Sequence, residues 1–128
     1  MKKKKPKTQS NGRYRKLACE LAKKIRRSQK KGCEICGKQN CKLEGHHLLT
    51  VGAYPNMSDC LDNILVVCVH CHKFGKVSFH GTPDLMVEIM NQKYPGRYKF
   101  LRELAQGRIH VNYKKEYEEL KEIYQSLI

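Results

Sequence analysis

Two pairs of cysteines carry the most specific chemistry in this sequence, Cys33-x-x-Cys36 and Cys68-x-x-Cys71. A pair at this spacing lets two thiolates grip one ion, and four thiolates complete the tetrahedral shell of a structural zinc. A redox role for a CxxC pair would need a thioredoxin-like βαβ pattern, which the sequence does not show. The chain has seven cysteines, an odd number, and no apolar run behind its N-terminal lysines to act as a signal peptide. A disulfide framework is therefore not expected. Cys19, Cys41 and Cys60 read as small buried hydrophobes, with Cys41 the one able to compete as a ligand.

Thirty-one residues separate Cys36 from Cys68, against roughly 15–20 in an ordinary four-cysteine module. The insert therefore carries something of its own. It holds His46 and His47 in EGHHLL, then Asn63 ahead of the apolar run ILVV, and His72 follows the second pair directly. Consecutive histidines on an extended segment point to opposite faces, so one can hold an ion while the other acts as a base. An imidazole suits the second task because its ordinary pKa, about 6.5, leaves it largely neutral at working pH. Either histidine could instead replace a cysteine on zinc or be a surface residue, and Asn63 alone would pass for a turn residue. His70 and His110 read as structural or surface residues.

These groups need elements to position them. Tyr14, Leu17, Leu21 and Ile25 recur at helical spacing with Ala18 and Ala22 alongside, predicting an amphipathic helix from about Arg13 to Ser28. Strands are expected around His46–His47 and at Ile64–Val67, separated by a loop through Gly52 and Tyr54-Pro55-Asn56, with a helix opening near Cys68 to present His72. After His80, Thr82-Pro83 marks a helix start ahead of Leu85, Met86, Ile89 and Met90. Tyr94-Pro95-Gly96 breaks that helix. A second helix through Tyr98, Leu101, Leu104 and Ala105 ends at Gly107, and Asn112 caps a last one. The stripe Tyr113, Tyr117, Leu120, Tyr124 and Leu127 on that last helix suits core packing, with a homodimer seam as the alternative.

In this order, CxxC, HH, N and CxxCH resemble the HNH endonucleases, the zinc-stapled branch of the ββα-metal family, over about forty residues from Cys33 to His72. GHHLLTVGAYPN and the later DN also look like the recombination endonucleases of lambdoid phages. The resemblance implies an α+β fold: a ββα-metal core with a four-cysteine zinc site, preceded by a basic helix and followed by two to three helices. It implies His46 and His72 as ligands of one catalytic divalent cation (Mg²⁺, Mn²⁺, Ni²⁺ or Zn²⁺) beside the structural Zn²⁺ on Cys33, Cys36, Cys68 and Cys71. His47 would be the general base and Asn63 would orient its ring. The nuclease toxins of the family carry a third ligand histidine one helical turn after the place of His72. That place is Lys76 here, which leaves His80 as a candidate third ligand or a phosphate contact, with a surface histidine as the alternative.

Charge completes the expectation. The formal net charge is +14, and residues 1–31 carry fourteen Lys or Arg against one acid, leaving a nearly neutral remainder. A block this basic reads as a partner for phosphates, with Lys2, Lys3, Lys4, Lys5, Arg13, Arg15, Lys16, Lys23, Lys24, Arg26 and Arg27 as the DNA-binding residues. The implied organisation is a flexible basic arm at 1–12, the basic helix at 13–31, the nuclease core at 32–80 and a helical extension at 81–128. No stretch approaches the roughly 18 apolar residues of a membrane span, so a soluble, cytoplasmic protein is expected. The implied activity is DNA hydrolysis, by nicking or double-strand cleavage, to 3′-hydroxyl and 5′-phosphate ends. A non-catalytic zinc-ribbon-like nucleic-acid-binding module and a phage recombination protein acting on branched DNA are the alternatives. Packaging or recombination proteins are implied as partners by resemblance alone.

Overall fold

Ser10 sets the start of the first helix, because its Oγ accepts the N–H of Arg13 at 3.2 Å and satisfies one of the donors a helix leaves open at its N-terminus. In the computed structural model, which describes residues 10–128, α1 accordingly runs Asn11–Gln29. It begins two residues before the predicted Arg13, because the apolar stripe does not report the cap. Antiparallel strands β1 (Leu43–His47) and β2 (Ile64–Cys68) follow, then helices α2 (Pro83–Lys93), α3 (Arg97–Gln106) and α4 (Tyr113–Leu127). The fold is α+β with a small two-stranded sheet. No helix is long and apolar enough to cross a membrane among the described residues.

All five residues of β2 are buried, which explains its unbroken apolar run: the sheet is covered on both faces. Ile64 joins Ala18, Ala22, Ile25 and Leu120 in a cluster between α1 and α4. Leu65 and Val67 join Met57, Met86, Met90 and Leu101 in a second cluster under α2 and α3. The strands pair in register from Leu43 opposite Cys68 to His47 opposite Ile64. Gly45 allows α1 to lie close to the sheet. A Cβ there would stand 2.9 Å from Cγ of Lys23 and 3.1 Å from Cγ2 of Ile64.

α1 is therefore part of the core and not a separable basic arm. Arg26, expected to bind DNA, is a structural residue. Its guanidinium donates to both carboxylate oxygens of Glu34 at 3.1 and 3.0 Å and to the Ile64 carbonyl at 3.0 Å. Glu34 in turn accepts the N–H of Val66 at 2.8 Å. This network joins α1, the first cysteine pair and β2. The Lys24 ammonium lies 5.0 Å above the ring of Tyr124 in a cation–π contact.

The C-terminal helices form near their predicted places. Asn112 caps α4 by accepting the N–H of Lys115 at 3.2 Å. Pro83 begins α2, although the Thr82 hydroxyl bonds within its own loop, accepting the Ser78 N–H at 3.0 Å, and does not cap the helix. The apolar stripe of α4 lies against α1, with Leu120 buried between them and Tyr117 beside Tyr14. Tyr117 and Tyr124 are partly buried there, while Leu127 at the end of the stripe is exposed.

One element departs from expectation. After β2 the chain makes a single wide turn, His70–Phe74, closed by the Gly75 N–H on the His70 carbonyl at 2.8 Å. The expected helix stops there because the returning chain takes its carbonyls: Phe79 N–H donates to Cys71 O at 2.9 Å and His80 N–H to His72 O at 3.0 Å. Gly75 makes the turn feasible, since a Cβ would meet the His70 oxygen at 2.6 Å.

Candidate functional site

The four cysteines Cys33, Cys36, Cys68 and Cys71 converge, with their sulfurs all within 4.8 Å of one another. Cys36 and Cys68 stand 3.7 Å apart, close to the roughly 3.8 Å edge of a tetrahedron of sulfurs around zinc. Cys33 Sγ accepts the N–H groups of Ile35 and Cys36 at 3.4 and 3.5 Å. Burial raises the Cys33 thiol, but these donors outweigh it and bring it to about 7. Burial and the neighbouring thiols push Cys71 up instead. The group is suited to hold one metal ion, with zinc the natural choice for its donors. Cys41, Cys19 and Cys60 lie outside it, and Cys41 Sγ faces the Lys38 carbonyl at 3.5 Å.

A second group forms on the face of β1 that carries Glu44 and His46. His46, His72 and His80 bring ring nitrogens within 4.8 Å of one another, and the Nε2 atoms of His72 and His80 are 3.1 Å apart. That spacing suits two nitrogens at about 2.1 Å from a shared ion. The wide turn after β2 and the returning chain bring His80 beside His72. His46 stacks on Phe79 with ring centroids 4.2 Å apart. Burial, then the neighbouring imidazoles, holds His46 down to about 3, which favours the unprotonated ring a metal requires.

Glu44 is a residue the sequence reading missed. Its Oε1 accepts Nδ1–H of His72 at 2.9 Å, which directs the Nε2 lone pair of His72 towards His80 and matches the carboxylate–histidine pairing found behind metal ligands. Burial outweighs this carboxylate and keeps His72 below its ordinary value. The same bond holds Glu44 low. The signal was present in Glu44-x-His46, which places both side chains on one face of a strand.

His47 points to the opposite face. Its Nε2 lies 2.7 Å from the Ser58 carbonyl, and a carbonyl only accepts, so Nε2 carries the proton and Nδ1 is the free acceptor. Cys19 Sγ lies 3.6 Å from the same Nε2. Burial keeps the ring below its ordinary pKa despite the carbonyl, hence neutral. Asn63, expected to orient this ring, does not touch it. Its amide accepts Leu49 N–H at 2.7 Å and donates to the carbonyls of Leu49 and Met57, both at 3.0 Å. Asn63 thus positions the segment that ends in Ser58, one step removed from the ring.

His46, His47, His72 and His80 open onto one cleft with Lys23, Thr50 and Lys73 on its walls. An adjoining groove continues past Lys23, Lys73, Arg27 and Lys42. Lys16, Glu20, Lys23 and Arg27 recur on one face of α1 at intervals of four, three and four, and Glu20 pairs with Lys23 at 3.6 Å. Of the predicted basic residues, Lys23 reaches the histidines and Arg27 the groove. Arg13, Arg15 and Lys16 line a separate recess at the start of α1. Lys2 to Lys5 lie outside the described residues. Lys42 and Lys73 were not expected, because each is isolated in the sequence and joins the others only through the fold. Set against known protein families, curated proteins and solved structures, the chain has no match.

Proposed function

We propose that the chain is a metal-dependent endonuclease of the HNH type that hydrolyses DNA phosphodiesters to 3′-hydroxyl and 5′-phosphate ends. The observation that carries this reading is one cleft shared by a three-histidine cluster and a neutral histidine whose Nδ1 is a free acceptor. His46, His72 and His80 would hold the catalytic divalent cation, and the four cysteines a structural Zn²⁺. The cation, when bound, supplies Lewis-acid stabilisation of charge developing on the phosphate.

The remaining work falls to the side chains. His47 Nδ1 takes the proton of the attacking water while the Ser58 carbonyl fixes the ring through Nε2, the division of roles expected of a positioned general base. Lys23 and Lys73 face the same space and favour an anionic phosphate there. Arg27 and Lys42 extend the attraction along the strand, and contacts of this kind favour binding to the backbone over recognition of particular bases.

The test is cleavage of supercoiled plasmid by the zinc-loaded protein with Mg²⁺, Mn²⁺ or Ni²⁺. His47→Ala should lower the rate by about 10²–10⁴-fold, the usual contribution of a general base, while retaining zinc and thermal stability. Because burial holds His47 below 6.5, the base stays competent as the pH falls through 6.5, and the parent's acid limb should lie lower. A parent inert with every metal, or a variant that cuts equally well, would leave the zinc-dependent nucleic-acid-binding module as the better account.

A further inference from the structure

Phe74 is the most exposed large apolar side chain away from the C-terminus among the described residues, at 74%. Exposed apolar residues are common singly, so exposure alone decides nothing. Its setting is more informative. Phe74 ends the wide turn His70–Phe74, two residues after His72 and directly after Lys73, which lines both the histidine cleft and the adjoining groove. Lys76 is exposed two residues further on, and Val77 is 45% exposed on the same tip.

The tip is also firmly held. Besides the two backbone bonds that return Phe79 and His80 to Cys71 and His72, Ser78 is fully buried, donates to the Lys73 carbonyl at 3.3 Å and accepts the Gly81 N–H at 3.0 Å. Gly75 has no room for a side chain. The aromatic ring is thus presented to solvent from a turn anchored at a zinc-site cysteine and at two of the clustered histidines. Such anchoring lowers the ordering cost of a contact made there.

An aromatic face flanked by lysines matches one chemistry well: a nucleobase stacks on the ring while its neighbouring phosphates pair with the cations. A base inside an intact duplex offers no free face, so the contact requires an unpaired or unstacked one. We propose that Phe74 is a base-stacking residue that engages an unpaired nucleobase next to the cleavage cleft, and that the protein thereby prefers DNA with locally unpaired structure to continuous duplex. This rests on the endonuclease reading for its substrate, but it is read out by binding and not by cleavage.

The experiment uses the full, zinc-loaded chain without added divalent cation and two DNA probes of equal length, a continuous duplex and a duplex with a short internal bubble. Each carries 2-aminopurine at the matching position, and binding is followed by anisotropy of an end label. The parent should bind the bubble more tightly and quench its 2-aminopurine on binding. Phe74→Ala should weaken bubble binding by about ten-fold, leave duplex binding within about two-fold and abolish the quenching. Phe74→Trp should restore both.

Equal affinity of the parent for the two probes, or unchanged bubble binding and quenching in Phe74→Ala, would overturn the proposal. The second result would point to a protein partner for the tip. A parent that discriminates and quenches as described but cuts no plasmid would support the stacking role and remove the nuclease reading, so the two failures are separable.

Discussion

Glu44 illustrates how much a single carboxylate contact can decide. It does not face the cleft's centre as a ligand, yet its bond to Nδ1 of His72 selects the tautomer that leaves Nε2 free beside Nε2 of His80. Glu44→Gln keeps the shape but can present an amide N–H to Nδ1, removing the reason for that tautomer to prevail. Loss of such a partner typically costs about 10–100-fold in metal affinity. Titration of zinc-loaded protein with Ni²⁺ or Mn²⁺, followed by calorimetry, should show a loss of that size with the four-cysteine zinc retained. Unchanged affinity would mean that His72 is oriented by packing alone. At the same scale, His47 shows that the partner of a histidine need not be a side chain: the Ser58 carbonyl does what Asn63 was expected to do.

Among the elements, the first cysteine pair is tied to more than the other two cysteines. Glu34 lies within it and connects to Arg26 on α1 and to the backbone of β2, and its carbonyl accepts the Tyr94 hydroxyl at 2.6 Å from the end of α2. Cys33 itself is buried in the cluster beneath α2 and α3. A metal ion on the four cysteines would therefore sit at a junction of three elements, and a structural zinc contributes folding free energy directly. Cys33→Ser should lose its stoichiometric zinc and its cooperative thermal transition together. A variant that loses zinc and still melts like the parent would show that the hydrophobic clusters suffice. The wide turn after β2 is the other informative element, since its early closure is what brings His80 into the histidine cluster.

For the whole molecule, the layers divide the labour. α4 covers the apolar side of α1 while Lys23 lines the cleft and Arg27 the adjoining groove, so a helix rich in cations serves both as core and as one wall of the site. Each phosphate neutralised on duplex DNA changes the slope of log K against log salt by about 0.9. Replacing Lys23, Arg27, Lys42 and Lys73 together with Gln should therefore flatten the slope by up to about 3 to 4. Lys121→Gln, whose parent ammonium lies 4.9 Å over the Tyr117 ring, should leave it unchanged. Equal effects from both would place DNA elsewhere on the surface.

The sequence by itself determined the elements and the donors. Helical spacing and cap residues act over a few positions, and Cys-x-x-Cys or His-His spacing is local geometry, so the four-cysteine group, the opposite facing of His46 and His47 and most helix limits were legible. The tertiary structure alone decided which residues share a space. It engaged Arg26 with Glu34, set Lys24 over the ring of Tyr124, and packed Leu120 of the α4 stripe against α1. It also brought Lys73 to the cleft and Lys42 to the adjoining groove, and joined His80 to His72 across the turn. Such pairings depend on how layers pack at separations of many residues, and no periodicity within a segment records them.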